Sequence, residues 1–301
     1  MYNIVRKIKK DIFIYILLFP ALALTFIFAY LPMPGIMVAF QEYDIFLGLL
    51  KSPFVGLRNI IDLLQTPELI ESVWNTLKIS VLSLVFCFPA PIILALLFNE
   101  LKNGVFKRAI QTISYLPYFL SWISVIGIFT TFYSVYGPLN DLRLALFGPE
   151  VERILFLSKQ ELFIPNVLFL SLWKDTGWGT VIYLASISAI ETQLYEAADI
   201  DGANKWQQTI HITLPGIMTT AVILLILSLS NLFGSNFELI FGLQNPFIDL
   251  EVISTIVYKY GIQNASYSMA TAIGFMQGLI AFLLIFISNY VCKKVSEVGI
   301  W

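Results

Sequence analysis

The stretch that decides the fold reads Glu196-Ala-Ala-Asp-Ile-Asp-Gly202-Ala-Asn-Lys-Trp-Gln-Gln-Thr-Ile-His-Ile212-Thr-Leu214-Pro215. It is short and mostly polar, and long apolar runs lie on both sides of it. Thr192 can cap a first helix, Leu194 to Ile200 are mostly good helix formers, and Gly202 suits the left-handed position after the last turn. A second short helix then carries Trp206 and Ile210 four apart on one face, and Pro215 restarts the chain. Two stubby helices joined by a glycine, pinned between membrane spans, make a knob that something soluble could grip. An ordinary loop is the plainer alternative.

The surrounding composition says where the knob sits. Hydrophobic residues make up 58% of the 301 residues and charged residues 13%, with a mean hydropathy of +0.80. A soluble domain of this length needs far more polar surface, so the chain belongs in lipid. The net charge of −2 argues against nucleic acid as a partner. Cys87 and Cys292 fall in or beside apolar spans far apart in sequence, which makes a disulfide framework a poor reading and packing a better one. His211 is the one histidine, so zinc-protease and Ser-His-Asp chemistry have almost nothing to work with. No metal or cofactor is expected. No glycine is followed by lysine, so no phosphate loop occurs and the chain is not expected to hydrolyse ATP itself.

The expected fold is all-α and polytopic, with six spans at about 12–40, 73–98, 112–135, 165–190, 217–241 and 269–291. Each is long enough for ~30 Å of hydrocarbon at 1.5 Å per residue. The first could be mistaken for a signal peptide, but it runs far past a short apolar core and no Ala-x-Ala site closes it, so a retained span is expected. Pro20, Pro32 and Pro34 should kink or end it, with Leu31-Pro-Met-Pro-Gly35 at its outer end. No repeat, linker or low-complexity segment interrupts the chain, which reads as one membrane domain over 1–301.

Basic residues set the orientation. The N-terminal segment, the 99–111 loop, the 191–216 loop and the tail together hold ten (Arg6, Lys7, Lys9, Lys10, Lys102, Lys107, Arg108, Lys205, Lys293, Lys294), and the opposite loops hold six (Lys51, Arg58, Arg143, Arg153, Lys159, Lys259) over a longer total length. The positive-inside rule puts both termini and the Glu196 loop in the cytoplasm. The outer loops are too small for a folded domain, so any capture protein must be a separate chain.

Two polar stretches lie inside spans. Ser171-Leu-Trp-Lys174-Asp175-Thr-Gly-Trp178-Gly-Thr180 puts charges in the fourth, where they must pair, face a cavity or lie near an interface. A structural ion pair near the outer boundary is the plain alternative, and Trp173 and Trp178 could be interface anchors. In the fifth, Ser228, Asn231, Ser235 and Glu238 recur at spacings of three, four and three, a single stripe on a helix with Asn236 at its edge. Such a stripe faces a water-filled path or a polar partner helix. The path is the better reading, because a carboxylate is an expensive way to join two helices.

Glu196-Ala197-Ala198, Gly202, Ile212, Leu214 and Pro215, with Asp199 beside them, resemble the coupling loop of permease subunits in binding-protein-dependent (type I) ABC importers. Tyr30-Leu-Pro-Met-Pro-Gly-Ile-Met-Val-Ala-Phe40 and Trp173-Lys-x-x-Gly-Trp178 resemble the branch of that family that handles oligosaccharides. The resemblance implies a non-enzymatic subunit working with a second permease, two cytoplasmic ATPase subunits gripping the loop, and an extracytoplasmic solute-binding protein. It also implies a prokaryotic cell membrane and an oligosaccharide path lined from the fourth span; together with the fifth-span stripe, the path candidates are Lys174, Asp175, Trp178, Ser228, Asn231, Ser235, Asn236 and Glu238. The alternative, a stand-alone secondary transporter or channel for a small polar solute, would need mid-membrane coupling carboxylates and usually an inverted repeat. No repeat is found, and beyond Asp175 the plausible buried carboxylate is Glu238.

Overall fold

Proline opens three of the helices, where its missing N–H is one the helix does not use and its fixed φ suits the first turn: Pro67, Pro89 and Pro138. The computed structural model describes residues 12–230, 234, 236–296 and 299. Besides two short helices, Gly48–Lys51 and Arg58–Leu64, the α-helices are α1 (Ile12–Thr25), α2 (Pro67–Phe86), α3 (Pro89–Glu100), α4 (Val105–Tyr115), α5 (Trp122–Phe132), α6 (Pro138–Phe147), α7 (Gln160–Ser188), α8 (Thr192–Ile200), α9 (Lys205–Gln208), α10 (Leu214–Ser230), α11 (Phe237–Leu243), α12 (Ile253–Tyr258) and α13 (Tyr267–Ser296). One isolated bridge, Gln41 to Phe54, is the sole β pairing among the described residues, so the fold is all-α. Two compact units divide the chain, residues 1–65 with 257–276, and residues 66–256 with 277–301.

In the first unit, helical winding does not stop at Leu31-Pro-Met-Pro-Gly35. A π turn, Phe26–Tyr30, and a 3-10 stretch, Met33–Phe40, carry it on to Phe40. Asn59 ends it, donating from Nδ2 to the carbonyls of Ala39 and Gln41, both at 2.9 Å, which satisfies acceptors that a helix end leaves free. Nearly every side chain from 12 to 32 is exposed. An apolar helix left this bare is a lipid-facing or partner-facing element.

The second unit carries the site. Its larger core joins Ile79 of α2, Val125 of α5, Val167 and Leu170 of α7, and Leu239 and Ile240 of α11 with Ile248, Leu250 and Val252 of the loop that follows. A buried loop must have its backbone satisfied. Gln160 donates to the Asp249 carbonyl at 2.9 Å and accepts from its N–H at 3.0 Å, Asn75 donates to the Glu251 carbonyl, and the Thr76 hydroxyl accepts from Ile253 N–H.

Three expectations about the spans change. The third is not straight: residues 105–119 and 122–132 meet at 103°, with Leu120 and Ser121 extended and the Ser121 hydroxyl capping α5 by accepting from Ser124 N–H. The 11 residues of α5 reach ~16 Å, too short to cross alone. The fifth is interrupted. Its first helix is described as far as Ser230, residues 234 and 236 are not helical, and a new helix begins at Phe237, so the stripe from Ser228 to Glu238 is not one helical face.

Pro215, in turn, does not restart the chain. The π turn Thr209–Thr213 joins α9 to α10 without a break, the extra residue in the turn making room for a proline ring that would clash with the carbonyl four residues back. Residues 12–40, 67–100, 205–229 and 267–294 are long and apolar enough to span, and the bent pair is a fifth candidate. At 29 residues α7 is as long as a span but more polar.

Candidate functional site

The knob is built from complementary helix ends. Glu191, not Thr192, takes the N-cap position of α8, with no side-chain cap, and Thr192 is the first helical residue. At its C-terminus, Ala203 N–H bonds the Ala198 carbonyl at 2.9 Å and Gly202 N–H bonds the Asp199 carbonyl at 3.2 Å, the paired closure that requires a left-handed residue between them. Gly202 supplies it, at φ +76°. Asn204 then opens α9 with a reciprocal box: its side chain accepts from Gln207 N–H at 2.9 Å, and the Gln207 side chain accepts from Asn204 N–H at 2.8 Å.

Gln208 locks the two helices together. It is 3% exposed. Its Nε2 donates to Asp199 Oδ1 at 2.5 Å and to the Ala203 carbonyl at 3.3 Å, and its Oε1 accepts from Lys205 Nζ at 2.9 Å. The Tyr195 hydroxyl meets that of Thr213 at 2.9 Å. The knob therefore turns outward what it does not need internally. Ile200 is 87% exposed and Trp206 71% exposed, beside exposed Glu196, Ala197 and Asp199. Leu214 points the other way, packing on the cluster of Ala95, Tyr183, Ile187 and Ile217 that roots the knob in the membrane unit.

A cavity of about 510 Å³ opens among α2, α3, α7, α10 and the start of α11. Its polar lining is Ser80 and Ser83 of α2, Ser171, Asp175 and Tyr183 of α7, Ser228 of α10, and Asn236. Of the expected path residues, then, Asp175, Ser228 and Asn236 come together. Asn236 also caps α11, its side chain accepting from Leu239 N–H at 3.2 Å. Glu238 is exposed and does not line the cavity, while Asn231 and Ser235 lie outside the described residues. The serines of α2 and Ser171 were missed. Their signal was Ser80, Ser83 and Cys87 at spacings of three and four, and Ser171, Asp175 and Gly179 four apart, each a single face.

Lys174 and Trp178 are not on the cavity lining; they meet the bent third segment instead. Lys174, 6% exposed, donates from Nζ to the Tyr118 carbonyl at 2.9 Å. It lies 5.0 Å from the Tyr118 ring centroid and 4.9 Å from that of Trp122, and 3.9 Å from Asp175 Oδ1. Trp178 stacks on Tyr118 with centroids 5.0 Å apart and planes at 10°. The approach is close because Gly177 has no side chain: a Cβ there would sit 1.8 Å from the Ser114 carbonyl oxygen. One face of the indole expected to stack on substrate is thus already covered by Tyr118.

Long apolar helices around a cavity with a few polar groups in its wall, and a braced polar knob between two of them, define a multi-pass membrane transport subunit. Residues 88–297 match the family model described as the binding-protein-dependent transport system inner membrane component. The chain is 40% identical to Protein LplB of Bacillus subtilis over 98% of this chain and 92% of that protein. It is 38% identical to the polygalacturonan/rhamnogalacturonan transport system permease protein YteP of the same organism, with the same coverage. A chain of a bacterial ABC transporter involved in the import of the acidic polysaccharide alginate superposes with a TM-score of 0.88 at 35% identity, covering 97% of this chain and 99% of that one. The chain belongs to the family of inner-membrane components of binding-protein-dependent transport systems. It is a permease subunit of an ABC importer, a transport component rather than an enzyme, and membership in this family displaces the stand-alone transporter or channel alternative.

Proposed function

We propose that the chain, as a single permease domain, forms with a second permease the path for an oligosaccharide, handed over by an extracytoplasmic binding protein and driven by two cytoplasmic ATPase subunits. The relatives' names point to saccharides: polygalacturonan and rhamnogalacturonan for YteP, and alginate, in one case with a pentasaccharide-bound periplasmic protein, for the solved transporter. The observation that carries the reading is the knob. Glu196, Ala197, Ala198, Asp199, Gly202, Ile212, Leu214 and Pro215 fall on it or at its root, and Ile200 and Trp206 give it an exposed apolar tip.

The mechanism follows from the helix that starts there. From Lys205 to Ser230 the winding is unbroken, so a displacement at Trp206 is carried roughly 33 Å to Ser228 in the cavity wall. Closing the ATPase dimer would draw two such knobs together and reshape the cavity between the permeases. Asp175, Ser228 and Asn236 form this chain's share of the sugar path. Both termini and the knob lie in the cytoplasm on this reading.

The test replaces Glu196 by Lys and, separately, Gly202 by Leu in the assembled importer. A side chain at φ +76° costs about 1–2 kcal/mol, and nothing within 4 Å crowds a Cβ there, so the spans stay inserted while docking is distorted. Uptake should fall relative to ATP hydrolysis in both variants. Wild-type uptake with normal coupling in either would overturn the coupling assignment.

A further inference from the structure

We infer that the cavity among α2, α3, α7 and α10 accepts neutral saccharides and rejects uronates, with Asp175 as the residue that discriminates; this rests on the sugar-import reading above. Among the described residues lining the cavity, Asp175 carries the one formal charge, and the other polar groups are hydroxyls and an amide. Its side chain is 51% exposed, against 8% for its neighbour Lys174. The lysine is the nearby cation that could have received an acidic sugar. Its ammonium instead donates to the Tyr118 carbonyl and lies against the rings of Tyr118 and Trp122, with Asp175 Oδ1 3.9 Å away, and Lys174 itself is not on the cavity lining.

The chemistry of recognition follows from this lining. An ionised carboxylate only accepts hydrogen bonds, and a sugar hydroxyl can donate one to it while accepting from Ser228 or Asn236. A uronate carboxylate has no proton to donate and brings a like charge next to Asp175, in a cavity walled by Ile79, Val167, Leu224 and Ile240. Like charges brought together in such a site oppose binding, and this repulsion selects between ligands of the same shape. A volume of about 510 Å³ lies in the range of ordinary small-molecule sites.

The experiment measures equilibrium binding to the purified assembly of this chain with its partner permease and ATPases, without the binding protein, whose own selectivity would mask the effect. The probes are trisaccharides in pairs differing only at C6: trigalacturonate against its carboxyl-reduced form, and C6-oxidised cellotriose against cellotriose. Wild type should bind a neutral member at least tenfold more tightly than its acidic counterpart. Asp175→Asn should shrink that ratio to threefold or less, while Ser228→Ala weakens both members and keeps the ratio. Should Asp175→Asn not assemble, salt decides in wild type. Raising it from 50 to 500 mM should narrow the ratio by weakening the repulsion, while leaving neutral binding unchanged.

Equal binding of both members of a pair by wild type, or a ratio unmoved both by the substitution and by salt, would overturn the inference and leave the sugar reading standing. Binding of no trisaccharide in either pair set, extended to neutral arabino-, xylo- and manno-trimers, would overturn the sugar reading and the inference with it.

Discussion

Replacing Gln208 by Leu removes the brace of the knob while keeping its volume nearly constant. The amide is buried and makes three hydrogen bonds, to Asp199, the Ala203 carbonyl and Lys205. The bond to the Asp199 carboxylate is charge-assisted, and such bonds are worth about 1.5–3 kcal/mol, against about 0.5–1.5 kcal/mol for a neutral one. Asp199 and Lys205 are exposed, so water recovers part of the loss, and a net cost of about 2 kcal/mol is expected. At 1.4 kcal/mol per factor of ten, that raises local opening about 30-fold. The amides that report it are Gly202 and Ala203, whose bonds to Asp199 and Ala198 close α8. Hydrogen exchange in the assembled importer should show them exchanging about 30-fold faster, with protection in α7 unchanged. Uptake per ATP hydrolysed should fall, because a loosened knob absorbs displacement that the rigid one passes on. Protection of Gly202 and Ala203 within threefold of wild type would show that Gln208 is not the brace, whatever happened to transport.

Three further outcomes are expected. Gly177→Ala drives a methyl group into the Ser114 backbone at 1.8 Å. Backbone cannot step aside, so α7 and α4 must part, at about 3 kcal/mol, and the thermal unfolding midpoint in detergent should drop; an unchanged midpoint would refute the crossing. Lys174→Met gives up the bond to the Tyr118 carbonyl and two ring contacts, together about 2–4 kcal/mol, and protease sensitivity at 119–122 should rise; equal sensitivity would mean that the lysine does not hold the bend. On a background lacking Cys87 and Cys292, an impermeant thiol reagent applied to intact cells should label cysteine at position 159 and leave position 205 unlabelled, and the reverse pattern would invert the topology.

The fold class and the knob were legible because each rests on a local signal. Apolar runs long enough for hydrocarbon need no tertiary context, and Gly202 announces its left-handed turn by having no side chain. What the sequence hid depends on pairs of distant residues. Nothing near Gln208 marks it as a brace, since glutamine is equally at home on a helix surface. The bend at Leu120 and Ser121 was hidden inside an unbroken apolar run, with Pro117 as a clue shared by prolines that do not break their helices, such as Pro20 and Pro165. Pro215 misled in the opposite direction, because a π turn can absorb a proline whose position alone predicts a stop. The stripe from Ser228 to Glu238 assumed one helix, and spacing carries no face information across a break.

The two charges in the fourth span show the same limit and how it resolves. Adjacent residues on a helix point about 100° apart, so Lys174 and Asp175 cannot serve one surface equally, and the sequence alone cannot say which serves which. The bend in the neighbouring segment decides it. A helix broken in a low-dielectric setting leaves carbonyls without their usual N–H partners, and an unmet carbonyl there costs more than in water. Lys174 answers that need at Tyr118, and the rings of Tyr118 and Trp122 stabilise its charge where water cannot. With the cation fixed on the structural side, the carboxylate one step round the helix is left at the cavity, 3.9 Å from the ammonium, in a loose ion pair and half exposed. A lysine held by a carbonyl and two rings does not need a tight ion pair, and a carboxylate not held tightly is free to hydrogen-bond a ligand. Hence a polar dipeptide inside a span need not be a closed salt bridge: its two members can be separated by the helix itself, one spent on the fold and the other left at the cavity.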